Sequence, residues 1–228
     1  MLTQIYEVGT PDEARSISLI GVDHIGILVG EGRFPREQSV IAAQRITAAI
    51  CRPAKFSALF LGSDRAFIER SVQQLKPAIL HLGAAPDLLS PQDLAALRSR
   101  VPPHILIMRS VPVIGDESIA IARSYDGIAD FLLLDSHRVA DRQIGALGIT
   151  HDWSISRRIV EQVRIPVILA GGLGPDNVAE AIRIVRPAGV DSKTRTDRGG
   201  SHAKDLDRVR RFHEAAKAAG LSAPNRQA

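Results

Sequence analysis

The chain carries a single cysteine, Cys51, in 228 residues. A lone thiol excludes an internal disulfide framework and fits a reducing compartment. Aromatic residues are scarce at 4%, and the net charge is only +4. Nothing here offers a stacking platform or a strong cationic footprint for nucleic acid, and Arg208-Val-Arg-Arg211 reads as a solvated helix face. The seven histidines show no His-x-x-x-His spacing, and no Cys-x-x-Cys is present. No metal and no cofactor are therefore expected. No apolar run approaches a membrane span, and Met1 opens almost directly on a strand with no signal-like segment before it. These absences predict a cytoplasmic protein with neither a membrane nor a nucleic-acid partner.

The 45% of hydrophobic residues is ample for one core and short for two. Eight apolar runs bounded by turn residues read as strands: Thr3–Tyr6, His24–Val29, Phe56–Leu61, Ala78–Leu82, His104–Arg109, Phe131–Leu134, Val167–Ala170 and Gly189–Asp191. Helical patterns lie between them, such as Ile68, Val72 and Leu75, or Val178, Ala181, Ile182 and Val185. Thr10-Pro-Asp-Glu13 and Ser90-Pro-Gln-Asp93 read as helix starts, the first as a capping box. Eight alternations predict an α/β fold, a single-domain (β/α)8 TIM barrel. A doubly wound open sheet is the competing architecture, but no Gly-x-Gly-x-x-Gly opening supports it. The barrel is expected over residues 1–220, with 221–228 as a disordered tail.

Pro166-Val-Ile-Leu-Ala-Gly-Gly-Leu-Gly-Pro-Asp-Asn-Val178 is the most informative stretch. Val167–Ala170 has no polar alternation, as in a strand covered on both faces. Gly171 and Gly172 permit a sharp turn and close approach to a ligand. Pro175 suits a first helical position, with Asp176 in the positive first turn. Together they form a plausible phosphate cradle or, in the plainer reading, a tight βα turn with no ligand.

In a TIM barrel the chemistry sits at the C-terminal strand ends. These offer Tyr6 and Glu7, Arg36, His81, Arg109, Asp135, Gly171-Gly172, and Asp191 with Ser192, Lys193, Thr194 and Arg195. An acid in an apolar wall is costly without a purpose. Asp135 is thus the leading catalytic candidate, its alternatives being a helix N-cap or a partner for Arg109.

The segments Phe131-Leu-Leu-Leu-Asp135, Gly145-Ala-Leu-Gly-Ile-Thr-His-Asp-Trp153, Pro166–Leu173, Pro175-Asp-Asn-Val178 and Gly189-Val-Asp191 occur in order along nearly the whole chain. In these the chain resembles the phosphoribosylanthranilate isomerases, (β/α)8 barrels that perform an Amadori rearrangement in tryptophan biosynthesis. Phe34-Pro35-Arg36 is similar to the family's Ser-Pro-Arg, whose arginine lies beside the substrate. The resemblance implies Asp135 as the general acid, with Arg36, His81 and Asp191 around the substrate. It implies Gly171, Gly172, Ser192, Lys193, Thr194 and Arg195 around a phosphate.

The first strand departs from that pattern. The family ends it Lys-Ile-Cys-Gly, the cysteine being the general base, whereas here it reads Gln4-Ile5-Tyr6-Glu7. A phenol with a reference pKa near 10 is a poor base at neutral pH unless strongly perturbed. Glu7 offers a carboxylate, but a one-residue shift on a strand turns the side chain to the other face. Other departures are Ile79-Leu-His-Leu-Gly83 for Val-Gln-Leu-His-Gly, Gly145-Ala-Leu-Gly148 for a Gly-Gly-Thr-Gly loop, and Ser192-Lys-Thr-Arg-Thr-Asp197 for Val-Ser-Ser-Gly-Val-Glu. A lysine and an arginine there still suit an anion.

Three functions follow. One is an isomerase or lyase acting on a small phosphorylated, sugar-like substrate by acid/base catalysis, with Asp135 as acid and Glu7 or Tyr6 as partner. Ordinary phosphoribosylanthranilate isomerase activity is then expected to be faint or absent. A second is a non-catalytic phosphosugar- or nucleotide-binding protein of the same fold, and a third is an interaction protein. The molecule is expected as a monomer or homodimer.

Overall fold

A computed structural model describes residues 1–138, 143–144 and 150–222. The loop 145–148 and residues 223–228 of the expected tail lie outside that set.

Eight parallel strands close into a barrel: β1 (Leu2–Ile5), β2 (His24–Leu28), β3 (Lys55–Phe60), β4 (Ile79–Leu82), β5 (Leu106–Val113), β6 (Phe131–Arg138), β8 (Val167–Leu169) and β9 (Gly189–Ser192). Their order around the barrel is β5-β4-β3-β2-β1-β9-β8-β6, and a β5–β6 pairing shuts the ring. A two-residue strand, β7 (Gln143–Ile144), pairs antiparallel with the end of β6. The helices are α1 (Pro11–Ile20), α2 (Val40–Thr47), α3 (Arg65–Leu75), α4 (Pro91–Arg98), α5 (Glu117–Ser124), α6 (Trp153–Gln162), α7 (Val178–Val185) and α8 (Leu206–Ser222).

The helix starts follow local chemistry. Ser90 accepts from the Asp93 N–H while Asp93 accepts in return, a complete capping box at α4. At α1 only half the box forms. Thr10 accepts from the Glu13 N–H, but the Glu13 carboxylate takes the N–H groups of Gly9 and Lys204 instead. Helix α7 begins at Val178, three residues later than Pro175 suggests. Pro175 and Asp176 belong to a turn, which Asn177 ties by accepting from the Gly174 N–H and donating to the Gly172 carbonyl. Helix α8 runs on to Ser222, past the expected limit at residue 220.

Strand alternation sorts the core into two layers. Ile5, Leu132, Leu134 and Val190 face the helices, within the larger apolar cluster. Tyr6, Leu28, Leu59, Ile79, Met108, Leu133 and Ile168 fill the barrel. The same parity turns Gln4, Asp135 and Asp191 toward the barrel axis. Among the described residues no helix is long and apolar enough to cross a membrane.

Candidate active site

At the C-terminal mouth, Asp135, Gly171, Gly172, Leu173, Asp191, Ser192, Lys193 and Thr194 line a small recess open to solvent. Its floor plan comes from three neighbouring strands, β6, β8 and β9. Gly171 and Gly172 both take left-handed backbone, with φ of 84° and 59°, conformations that favour glycine. A Cβ on Gly171 would sit 2.7 Å from His151 Nδ1 and 3.2 Å from the Ser136 nitrogen. His151 fills the space that a side chain there would need, and its Nε2 shares a hydrogen bond with Ser156 Oγ at 2.8 Å. Ser192 Oγ donates to the Leu173 carbonyl at 2.7 Å. That bond fastens the tip of β9 to the glycine turn.

Two carboxyls face this recess. Burial pushes the Asp135 carboxyl up to about 7, against hydrogen bonds from the Ser136 N–H and hydroxyl that favour its charged form. Asp191 is also raised well above the usual carboxylate range, first by burial and then by the charge of Asp135. Gln4 Nε2 donates to Asp191 Oδ1 at 3.2 Å, and Gln4 Oε1 lies 3.2 Å from His24 Nδ1. Sequence reasoning passed over Gln4 and His24. The available signal was a pair of polar residues inside strands that are otherwise covered on both faces. Asp135 is neither a helix cap nor a partner of Arg109. Arg109 is fully buried and donates to the carbonyls of Leu82, Ala84 and Leu89, clamping the loop after β4.

Tyr6 and His81 are not at the rim. Tyr6 is 4% exposed. Its hydroxyl bonds Ser57 Oγ at 2.7 Å and His81 Nδ1 at 2.6 Å, while His81 Nε2 bonds Ser110 Oγ at 2.7 Å. Burial pushes the Tyr6 phenol well above 10 and pulls His81 down to about 3, the Arg109 charge adding to the latter. The perturbation of Tyr6 therefore runs against a role as base. His81 is neutral, with both ring nitrogens engaged inside the barrel.

Glu7 is absent from the lining of the recess. Its backbone takes φ 57°, a left-handed conformation costing about 1 kcal/mol for a residue with a Cβ, which breaks the strand alternation expected there. Its carboxylate lies 3.3 Å from Arg36 Nε and 3.3 Å from Lys193 Nζ. Arg36 further donates to the Glu7 carbonyl at 2.8 Å and to that of His202 at 2.9 Å. Lys193 Nζ also stands 3.6 Å from Asp197, which pairs with the buried Lys204. Lys193 thus borders the recess with its ammonium directed into ion pairs. Arg195 is exposed, its stem packed against Gly174. Among the described residues no group of three or more His, Cys, Asp or Glu side chains could hold a metal ion.

Comparison with known proteins decides the lineage. The family model for N-(5'-phosphoribosyl)anthranilate isomerase matches residues 31–215. The chain belongs to the phosphoribosylanthranilate isomerase family. It is 36% identical to the N-(5'-phosphoribosyl)anthranilate isomerase of Methanocella arvoryzae over 206 residues, which cover 90% of this chain and 92% of that protein. The phosphoribosylanthranilate isomerase of Thermotoga maritima has the same fold, with a TM-score of 0.79 at 22% identity over 96% of this chain and 100% of that one. A phosphoribosylanthranilate isomerase in complex with reduced 1-(o-carboxyphenylamino)-1-deoxyribulose 5-phosphate superposes with a TM-score of 0.77 at 22% identity, covering 96% and 100% of the two chains. The family match starts at residue 31, so β1 with Tyr6 and Glu7 lies outside it. That stretch holds one of the sequence's departures from the phosphoribosylanthranilate isomerase pattern, the one at the base position.

Proposed function

We propose that the protein is an isomerase acting on a phosphorylated, sugar-like substrate, with Asp135 and Asp191 as its acid/base pair. One observation carries the reading: two inward-facing carboxyls border a single recess together with the glycine pair of the β8 turn. Like charges in a buried site cannot both ionise easily, so the pair retains a proton near neutral pH while its other member is ionised. One acid and one base are what an Amadori-type rearrangement needs. The acid protonates the ring oxygen of the ribosylamine and opens the ring to an imine. The base removes the C2 proton to give an enol, which returns to the ketone on reprotonation at carbon. Asp135 is the acid that the family pattern implies. Asp191 is the second member of the pair in place of the earlier candidates: Tyr6 is committed to Ser57 and His81, and Glu7 to Arg36 and Lys193. Gly171, Gly172 and the start of the segment after β9 cradle the phosphate, with Gln4 holding Asp191 in place.

The test is turnover on a panel of phosphoribosylamines, N-(5'-phosphoribosyl)anthranilate among them, by wild type, Asp135→Asn and Asp191→Asn. Each variant should lose about 10²–10⁴ in kcat while still binding inorganic phosphate. Unchanged turnover in either variant removes that residue from the chemistry. A protein that binds phosphosugars but turns over none of them is instead the non-catalytic binder, the reading favoured by the burial of Tyr6 at the family's base position.

A further inference from the structure

Lys193 borders the recess, and its ammonium shares a partner with the Arg36 guanidinium. Both point at one oxygen: Glu7 Oε2 lies 3.3 Å from Arg36 Nε and 3.3 Å from Lys193 Nζ. Arg36 is also fixed through its guanidinium to the carbonyls of Glu7 and His202, and Lys193 has Asp197 as a second acid at 3.6 Å. The side chains are largely enclosed, 11% exposed for Glu7, 15% for Arg36 and 13% for Lys193. Glu7 reaches this position only through a left-handed backbone, at φ 57°, so the chain adopts a strained conformation to deliver a carboxylate between two cations.

We infer that Glu7 is a built-in carboxylate occupying the site where a ligand's own carboxylate would bind, so that the substrate is a phosphorylated sugar derivative whose other end carries no negative charge. A ligand carboxylate entering here faces an intramolecular competitor at high effective concentration. To displace it, the ligand would have to leave Glu7 enclosed and without its counter-charges. Repelling the wrong ligand in this way is as effective for selectivity as attracting the right one. A phosphosugar bearing an uncharged amine or amide substituent meets no such obstacle. This inference rests on the phosphosugar reading above and narrows it to carboxylate-free substrates.

Calorimetric titration with two probes separates the possibilities. One is reduced 1-(o-carboxyphenylamino)-1-deoxyribulose 5-phosphate, and the other is the same compound lacking the carboxyl group. Wild type should prefer the carboxyl-free probe by at least about tenfold. Glu7→Gly, which keeps a residue suited to the left-handed backbone, should gain at least about tenfold for the carboxylated probe and change little for the other. Glu7→Gln, close in shape, should show the same reversal in smaller measure and serves if the glycine variant does not fold. Wild type binding the carboxylated probe as tightly as the other, or no reversal in either variant, overturns the inference and leaves the phosphosugar reading standing. Failure of wild type and both variants to bind either probe removes the phosphosugar reading, and this inference with it.

Discussion

The Tyr6 hydroxyl stands 2.6 Å from His81 Nδ1, which makes the side chain after β1 part of a hydrogen-bonded crossing of the barrel from Ser57 through His81 to Ser110. Because His81 is neutral, one of its nitrogens donates and the other accepts. The crossing is satisfied along its whole length, and each member depends on the next.

Tyr6→Phe tests the consequence. It removes the hydroxyl and leaves His81 Nδ1 and Ser57 Oγ without that partner in a dry interior. Urea unfolding should show a loss of about 1–3 kcal/mol. On any substrate the protein turns over, kcat should stay within about threefold of wild type. A kcat collapse with unchanged stability would make Tyr6 a chemical group after all.

Stability should depend on pH in two opposed ways. Asp135 has a folded pKa of about 7 against an ordinary 3.8. Its contribution is complete below the unfolded value and is lost as pH rises through the folded one. Asp135→Asn escapes this loss and should gain on wild type between pH 4 and pH 8, by up to on the order of 4 kcal/mol. His24 and His81 are depressed by burial, to about 4 and about 3. Their contribution is present above pH 6.5 and is lost as pH falls toward those values, so acid unfolding should take up about two protons beyond the carboxylates' share. Chemical denaturation across pH 4–8 for wild type and Asp135→Asn measures both limbs. A wild-type curve that stays parallel to the variant's would contradict the burial of Asp135.

Gly171→Ala should close the recess. Its new methyl would lie 2.7 Å from His151 Nδ1 in a backbone at φ 84°, adding overlap to conformational strain. We expect a loss of about 2 kcal/mol or more, together with loss of the thermal shift given by inorganic phosphate. Gly127 is also left-handed, but a Cβ there would meet nothing within 4 Å. Gly127→Ala should therefore leave the phosphate shift intact.

The barrel was legible because its strands are buried on both faces and read as unbroken apolar runs. Val167–Leu169, Gly189–Ser192 and the others fall within a few residues of their expected limits. Strand β6 runs four residues longer than its apolar part, since Asp135 and Ser136 continue the pairing with Pro112 and Val113; polarity ended the pattern where the hydrogen bonding did not. The strand ends placed Asp135 and Asp191 at the C-terminal mouth, but that they border the same recess with the glycine pair comes from the structure. The bond from Gln4 to Asp191 was not visible either, because register across 187 residues leaves no trace in a single sequence. Glu7 was harder still. Only the family's glycine at that place hinted that its backbone turns left-handed, away from the alternation a strand imposes.

Gly26 lies under the Tyr6 ring, so close that a methyl group on it would overlap the aromatic carbons. The bare backbone on β2 and the bulky side chain just after β1 fit against each other. Restoring a small thiol at position 6 by itself would open a hole in the middle of the barrel and strand the imidazole of His81. Tyr6→Cys alone should therefore destabilise the barrel, and a larger residue in place of Gly26 would be needed to refill the space.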